Sequence, residues 1–464
     1  MRTKRFMLAA VCALLFFCDS AGPLTAGPDS GRLDLPPVSN AVLANGIRLF
    51  YVPDDLPQIT IIVTVGYGRL YEKRETAGLS DLLASTMSLG GSTGYPGATL
   101  HEAIDSMGGR LSVSASWESV TISIRVLERF REEAFAIAAD IAARPNIEQV
   151  YLDNASGLVI DSIKRKYDNP FELAFEKARE IIFEGQGYGA VPTEEKIRSY
   201  SRALVQDAWK THFAGRNMMI GVSSSIDFSE AERLCRKHFS GIHPGAPVRY
   251  ETDNGKIREQ VNRVRGKVFL YRKDIPQSTV VVGTVAPDIR NPGVLSLDLM
   301  NYILGGGSFS SRLMEDIRVK RGMAYAVQSV CRPRYRTGVF LAYAQTENRQ
   351  AGEVLGLLVG NIERMAQEPV AGRELTWAQG AISNAFVFRF DTPMEILSNY
   401  LEIAYNELPE DYYKTYLGRL NRVSAGEIAS ESAQLLKPGL VMLVVGHPSV
   451  EADLKRFGEV VIIE

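Results

Sequence analysis

The chain has 464 residues, 45% of them hydrophobic and 23% charged, the balance of a globular protein long enough for two cores. Its 52 basic and 54 acidic residues leave a formal net charge of −2, so no basic excess argues for a nucleic-acid partner. Four cysteines with no closely spaced pair exclude a disulfide scaffold and a zinc ribbon.

Arg2, Lys4 and Arg5 precede an apolar run from Phe6 to Phe17, followed by small and turn-forming residues. This is the pattern of a secretory signal, expected to occupy residues 1–26 with cleavage near Ala21 to Ala26. The run is too short for a mature membrane span, and no later stretch is long and apolar enough for one. A lipoprotein reading of Cys18 is opposed by the bulky Phe17 just before it. The expected location is periplasmic or secreted. Cys235 and Cys331 remain after cleavage. An oxidising compartment permits a bridge between them, but two isolated cysteines in a large protein are expected to be free thiols.

Leu33 to Ala41 reads as a loose N-terminal extension. Asn45-Gly46 is a hairpin turn, and the β-branched run Gln58 to Val65 a strand. Gly78 to Ser88 is helical. Leu79, Leu82, Leu83 and Met87 share one face, and Asp81, Ala84, Ser85 and Ser88 form another. A second helix, Leu100 to Met107, stops at Gly108-Gly109. Leu111 to Val126 reads as paired strands around Trp117-Glu118. Helices follow over Arg129–Ala143, Ile147–Lys166 and Phe171–Phe183, then a strand at Met218–Ser224 and a helix at Ser229–Phe239. Residues 244–265 are polar and turn-rich, as a linker would be. Beyond it come a strand at Ser278–Val285, a helix at Leu295–Leu304, a glycine turn, a helix at Ser310–Lys320, and further strands.

The second half repeats the first. Leu56-Pro57-Gln58 with its strand returns as Ile275-Pro276-Gln277, Leu89-Gly90-Gly91-Ser92 as Leu304-Gly305-Gly306-Gly307-Ser308, and Tyr167-Asp168-Asn169-Pro170 as Phe390-Asp391-Thr392-Pro393. Three echoes in one order indicate a duplicated domain. The expected divisions are a domain over 27–243, a linker over 244–265 and a domain over 266–464. The expected fold is α+β: two related domains, each an antiparallel sheet with helices on one face, together a clam-like half chamber. A cleft between two such domains is the natural place for a ligand.

The segment Gly78-Leu79-Ser80-Asp81-Leu82-Leu83-Ala84-Ser85-Thr86-Met87 resembles the zinc helix of the M16 metallopeptidases (pitrilysin and mitochondrial processing peptidase-like), a likeness that runs from about Asn45 to His447. The family's helix carries His-x-x-Glu-His, two histidine ligands four apart on one face and a glutamate that activates water. Here Asp81 and Ser85 stand in the histidine places and Ala84 in that of the glutamate. The family's third ligand, a glutamate, precedes a stretch matched by Ile163 to Pro170, and its place is taken by Ser162. One carboxylate among serines is no zinc site. No metal is therefore expected on this chain, and no cofactor. His101, His212, His238, His243 and His447 make no zincin spacing, and no Gly-x-Ser-x-Gly elbow, Walker loop or Cys/His pattern offers another chemistry.

The second half keeps a different family feature. Leu304 to Leu313 resembles the glycine-rich turn of the family's C-terminal domain, and it runs on to Arg318 and Gly322-Met323-Ala324-Tyr325. In active members an Arg and a Tyr seven residues apart reach the substrate at the zinc, and Arg318 and Tyr325 match that pair. A guanidinium can hold a peptide carbonyl or carboxylate, and a phenol can donate to an oxyanion. Gly305, Gly306, Gly307 and Ser308 are the expected substrate-contacting turn.

The resemblance thus implies the non-zinc subunit of an exported heterodimeric peptidase. It would be inactive alone and would supply Arg318 and Tyr325 to extended peptides at the zinc of a partner subunit. The alternative is a catalytically inert scaffold or peptide-binding protein, like the family's core subunits in respiratory complexes.

Overall fold

The computed structural model describes residues 38–463 except 249 and 251, and Ser308 by its backbone alone. The expected signal segment and Cys18 lie outside the described residues.

The first half builds a six-stranded sheet from β1 (Ser39–Val42), β2 (Arg48–Pro53), β3 (Gln58–Val65), β4 (Arg110–Ala115), β5 (Val120–Leu127) and β6 (Met218–Ser224), in the order β1-β2-β6-β3-β5-β4. The second half builds another from β7 (Lys267–Arg272), β8 (Gln277–Ala286), β9 (Ala326–Arg332), β10 (Gly338–Glu347), β11 (Val441–Gly446) and β12 (Glu459–Ile463), in the order β12-β7-β11-β8-β10-β9. Five strands follow the same path in each: β2-β6-β3-β5-β4 and β7-β11-β8-β10-β9. The Pro-Gln pairs of the sequence repeat open the equivalent strands β3 and β8. Only the outer strand differs in origin, coming from the start of the described chain in one sheet and from its end in the other.

Three expectations are corrected. The sheets are mixed, not antiparallel: β2 runs parallel to β6, and β7 parallel to β11 and β12. The helices that separate β2 from β6, and β7 from β11, give the chain room to return in the same direction. Ser39–Val42 is an edge strand paired with β2, not part of a loose extension. Residues 244–265 contain a helix, Asn254–Arg263, capped by the Asp253 side chain. Its apolar stripe (Ile257, Val261, Val264) packs on the second sheet and was hidden by a polar average.

Helices on one face is the fourth correction, because each sheet is covered on both. One face of the first sheet meets helices Leu79–Gly90, Arg131–Ala143 and Gln149–Asp168 in a core that includes Ile61, Leu82, Leu83 and Phe135. Its other face receives helix Pro393–Tyr405 from the second half, with Ile396, Leu397 and Leu401 against Val52 and Met219. Reciprocally, helix Pro170–Ile182 of the first half lays Leu173, Ala174, Ala178 and Ile182 on Val281, Leu443 and Val445 of the second sheet. The third sequence echo marks the N-termini of these two exchanged helices. Asn169 accepts from the backbone N–H of Phe171 and Glu172, Thr392 accepts from that of Glu395, and a proline follows each cap. A Cβ on Gly221 of β6 would lie 3.0 Å from Leu397 Cδ1, so glycine there lets the exchanged helix seat closely. Apolar burial on both faces fits the nearly continuous valine run of β8.

Candidate functional site

The helix Leu79–Gly90 forms as its leucine stripe requires, and its start is held by a buried carboxylate. Glu72 accepts from Gly78 N (2.8 Å), Ser80 N (2.8 Å) and Ser80 Oγ (2.6 Å). Burial raises the Glu72 carboxyl above its ordinary range, against the pull of those hydrogen bonds. Asp81, in the first turn, is bound to the guanidinium of Arg69, with Nη2 at 3.0 Å and Nε at 3.3 Å from Oδ2. Ala84 is buried, Ser85 half-buried and Ser162 exposed.

Arg69 is itself part of a stack. Its guanidinium carbon is 5.0 Å from the centre of the Trp117 ring, and that of Arg179 is 4.5 Å from the same ring. Burial works against the charge on Arg69, and Asp81, with Glu72 and Glu176 behind it, more than restores it. Arg179 has no such direct partner among the described residues. Burial lowers it to about 10, and its Nε finds no acceptor among the described residues. This end of the molecule also joins the halves. Glu118, beside Trp117 at the β4–β5 turn, accepts from Tyr188 OH (2.5 Å) and Tyr405 OH (3.1 Å, to its carbonyl) and lies 3.6 Å from Arg334.

These donors do not fit a zinc ion. A zinc site needs three protein ligands of the His, Cys, Asp or Glu type; Asp81 is committed to Arg69, and the other positions offer two hydroxyls and a methyl. Among the described residues no three such side chains gather anywhere. The histidines are placed apart: His212 stacks on Tyr67 at 3.9 Å, with its pKa lowered to about 4 by burial, and His238 bonds Glu132 at 2.8 Å. Both Cys235 and Cys331 are free thiols.

Arg318 and Tyr325 are brought together. Arg318 lies in a wide helical turn, Met314–Val319, that ends at Gly322. There the N–H of Gly322 reaches Arg318 O (2.9 Å) and φ is +64°, a left-handed conformation that favours glycine. The reversal returns the chain along β10. Tyr325 N donates to Gln345 O (3.2 Å), just ahead of β9, and leaves the phenol ring 78% exposed. The Arg318 guanidinium carbon is 5.5 Å from the centre of that ring.

Of the three arginines in this region, Arg312 makes two 2.8 Å bonds to Glu374, and Arg321 pairs with Asp316. Arg318 has no carboxylate partner among the described residues. It rests on aromatic rings, leaving N–H groups to donate elsewhere.

The glycine turn is packed more than open. Residues Tyr302–Gly306 continue the helix Val294–Asn301 as a wide turn, and Ser308–Ser310 is a single 3-10 turn. Gly305 and Gly307 are buried, and Gly306 is exposed. A Cβ on Gly305 would lie 2.5 Å from Ser329 N, and one on Gly307 2.4 Å from Trp377 Cη2, so close approach explains both glycines.

Sequence reasoning missed Arg69, Trp117 and Arg179, which lie far apart in the chain and share no motif. It also passed over Phe309, inside the glycine segment, whose ring is 5.4 Å from the Arg318 guanidinium carbon.

Comparison with known proteins bears on the family and the fold. The family model described as Insulinase (Peptidase family M16) matches residues 53–191, and that of the Peptidase M16 inactive domain matches residues 199–379. An uncharacterized zinc protease of Rickettsia bellii is 26% identical over 334 residues, 70% of this chain and 77% of the relative. Subunit 1 of the bovine mitochondrial cytochrome b-c1 complex is 21% identical over 389 residues, 82% of this chain and 79% of the relative. The crystal structure of a peptidase M16 inactive domain from Pseudomonas fluorescens superimposes with a TM-score of 0.78 at 18% identity, covering 88% of this chain and 98% of that one.

Proposed function

The chain belongs to the M16 peptidase family, and from that premise we propose that it is the non-zinc subunit of an exported heterodimeric M16 peptidase. It presents Arg318 and Tyr325 to an extended peptide held at the zinc of its partner. One observation carries this reading: Arg318 and Tyr325 stand side by side at the surface, and the guanidinium is not consumed by an ion pair among the described residues. In that role Arg318 donates to a main-chain carbonyl or carboxylate and fixes the peptide's position. The Tyr325 phenol donates to the oxygen on which charge develops. Catalysis by this chain alone is not part of the reading, since the ligand positions hold Asp81, Ser85 and Ser162 and the general-base position holds Ala84.

The test is co-expression of the mature chain with an M16 relative that carries an intact His-x-x-Glu-His helix. A one-to-one complex by size exclusion, with peptidase activity that neither chain has alone, is the expected result. Separate elution and no gain on mixing would sink the proposal.

A second reading, an inert scaffold, is favoured by the similarity to a cytochrome b-c1 subunit. A stable complex without peptidase activity on any peptide would select it.

A further inference from the structure

Phe309 is an exposed phenylalanine with a neighbour worth explaining. Its ring is 64% accessible, at the tip of the 3-10 turn Ser308–Ser310. A lone exposed hydrophobe is ordinary. This one lies 5.4 Å from the guanidinium carbon of Arg318, which is also 5.5 Å from the 78% exposed Tyr325 ring. Val319, next in the chain after Arg318, is 61% exposed as well. Two exposed aromatic rings therefore flank one cation that lacks a carboxylate partner among the described residues, with an exposed valine next to it in the chain.

Building this arrangement has required packing. The tip that carries Phe309 is set against Trp377 through Gly307, where no Cβ fits, and Trp377 is held by Tyr302 with ring centres 5.0 Å apart. On the other side, Arg312 and Glu374 tie the following residues down with two 2.8 Å bonds. Phe309 is thus placed beside Arg318 by a supported turn.

We infer that Phe309 is a specificity residue. It flanks the Arg318 guanidinium and, with Tyr325, forms an aromatic surface for a large apolar side chain of the bound peptide, next to the carbonyl or carboxylate that Arg318 holds. This rests on the role proposed for Arg318. A ring beside the guanidinium leaves its in-plane N–H groups to point at an acceptor. Binding an acceptor there brings the flanking rings against whatever side chain adjoins it. The charge is complemented by the peptide's oxygen, and the exposed rings are covered by its apolar neighbour. The occupant is a peptide with an aromatic or large aliphatic residue at that place; a small or acidic residue would leave the rings wet.

The test uses the reconstituted complex and two quenched peptides that differ only in carrying Phe or Ala at one position, moved along the sequence in turn. At one position the wild-type complex should prefer Phe. Phe309→Ala should raise KM for that Phe peptide about 10-fold, change KM for the Ala peptide less than about 2-fold, and leave kcat nearly unchanged. Phe309→Trp should restore the preference. If Phe309→Ala alters both peptides equally, or neither, in a complex that is active and intact by size exclusion, the inference is overturned while the role of Arg318 stands. If the wild-type complex is inactive on every peptide, the proposed function fails, and this inference fails with it.

Discussion

Asp81 and Arg69 face each other at 3.0 Å, so the helix that matches the family's zinc helix holds a carboxylate–guanidinium pair. Their side chains are 24% and 20% exposed, and Trp117 lies against the guanidinium. Asp81→Ala would leave a mostly buried cation facing Arg179 with its nearest carboxylate gone. The expected loss of stability is on the order of 2–3 kcal/mol, somewhat below that of fully buried pairs. Arg69→Met in the Asp81→Ala background should recover part of it, since no charge is then stranded. Denaturant unfolding of the two single variants and the double variant measures the coupling; simple additivity would mean that the pair is not interacting.

The metal prediction concerns the same helix. Purified mature chain is expected to hold well under one zinc per molecule after dialysis and to cleave no peptide. Elemental analysis and a peptidase assay check both. One tightly held zinc per chain would contradict the reading of Asp81, Ser85 and Ser162.

In the reconstituted complex, Tyr325→Phe removes only a hydroxyl from an exposed ring. Loss of one oxyanion donor costs about 10²–10³ in turnover, so kcat should fall by that order with assembly intact. Arg318→Ala should act more through KM. Steady-state kinetics decides, and wild-type rates in both variants would make the pair a relic.

The exchanged helices should be the stability-determining link between the halves. Leu397 is fully buried against Val52 and Met219. Leu397→Ala is expected to cost about 2–5 kcal/mol. Asn169→Ala and Thr392→Ala each remove a cap at about 1 kcal/mol, and the two should add, being caps of different helices. Thermal unfolding of the three variants gives the ranking, and a Leu397→Ala protein as stable as either cap variant would refute it.

Between the halves lies a cavity of about 400 Å³, walled by Glu118, Asp298, Arg389, Tyr405 and Tyr416 among others. Burial pushes the Asp298 carboxyl up from 3.8 to about 7, against the opposing pull of Arg389 and of the Tyr416 hydroxyl. Between those two values the folded protein keeps a proton that the unfolded chain releases. Stability should therefore fall as pH rises from about 4 to about 7. Asp298→Asn removes that slope. The stability of the variant relative to wild type should rise by on the order of 2–3 kcal/mol between pH 5 and 8, at about 1.4 kcal/mol per unit. Parallel pH profiles for the two proteins would show that Asp298 is ionised throughout.

Much of the architecture is local and was legible in the chain. Leu56-Pro57-Gln58 and Ile275-Pro276-Gln277 mark equivalent strands, Asn169-Pro170 and Thr392-Pro393 equivalent helix starts, and Gly322 the reversal that sets Tyr325 beside Arg318. Each depends on backbone chemistry within a few residues, which spacing and residue type record. The substitutions at Asp81, Ala84, Ser85 and Ser162 were read from the resemblance to the family's zinc motif, position by position, and not from spacing. Tertiary structure alone decided which sheet each exchanged helix covers, because an apolar stripe states that a face is buried and not against what. It also decided that Arg69 and Trp117 would gather at Asp81, and that Phe309 would flank Arg318. Those contacts join residues with no periodic relation, selected by close packing and by the cost of leaving a buried charge without a partner.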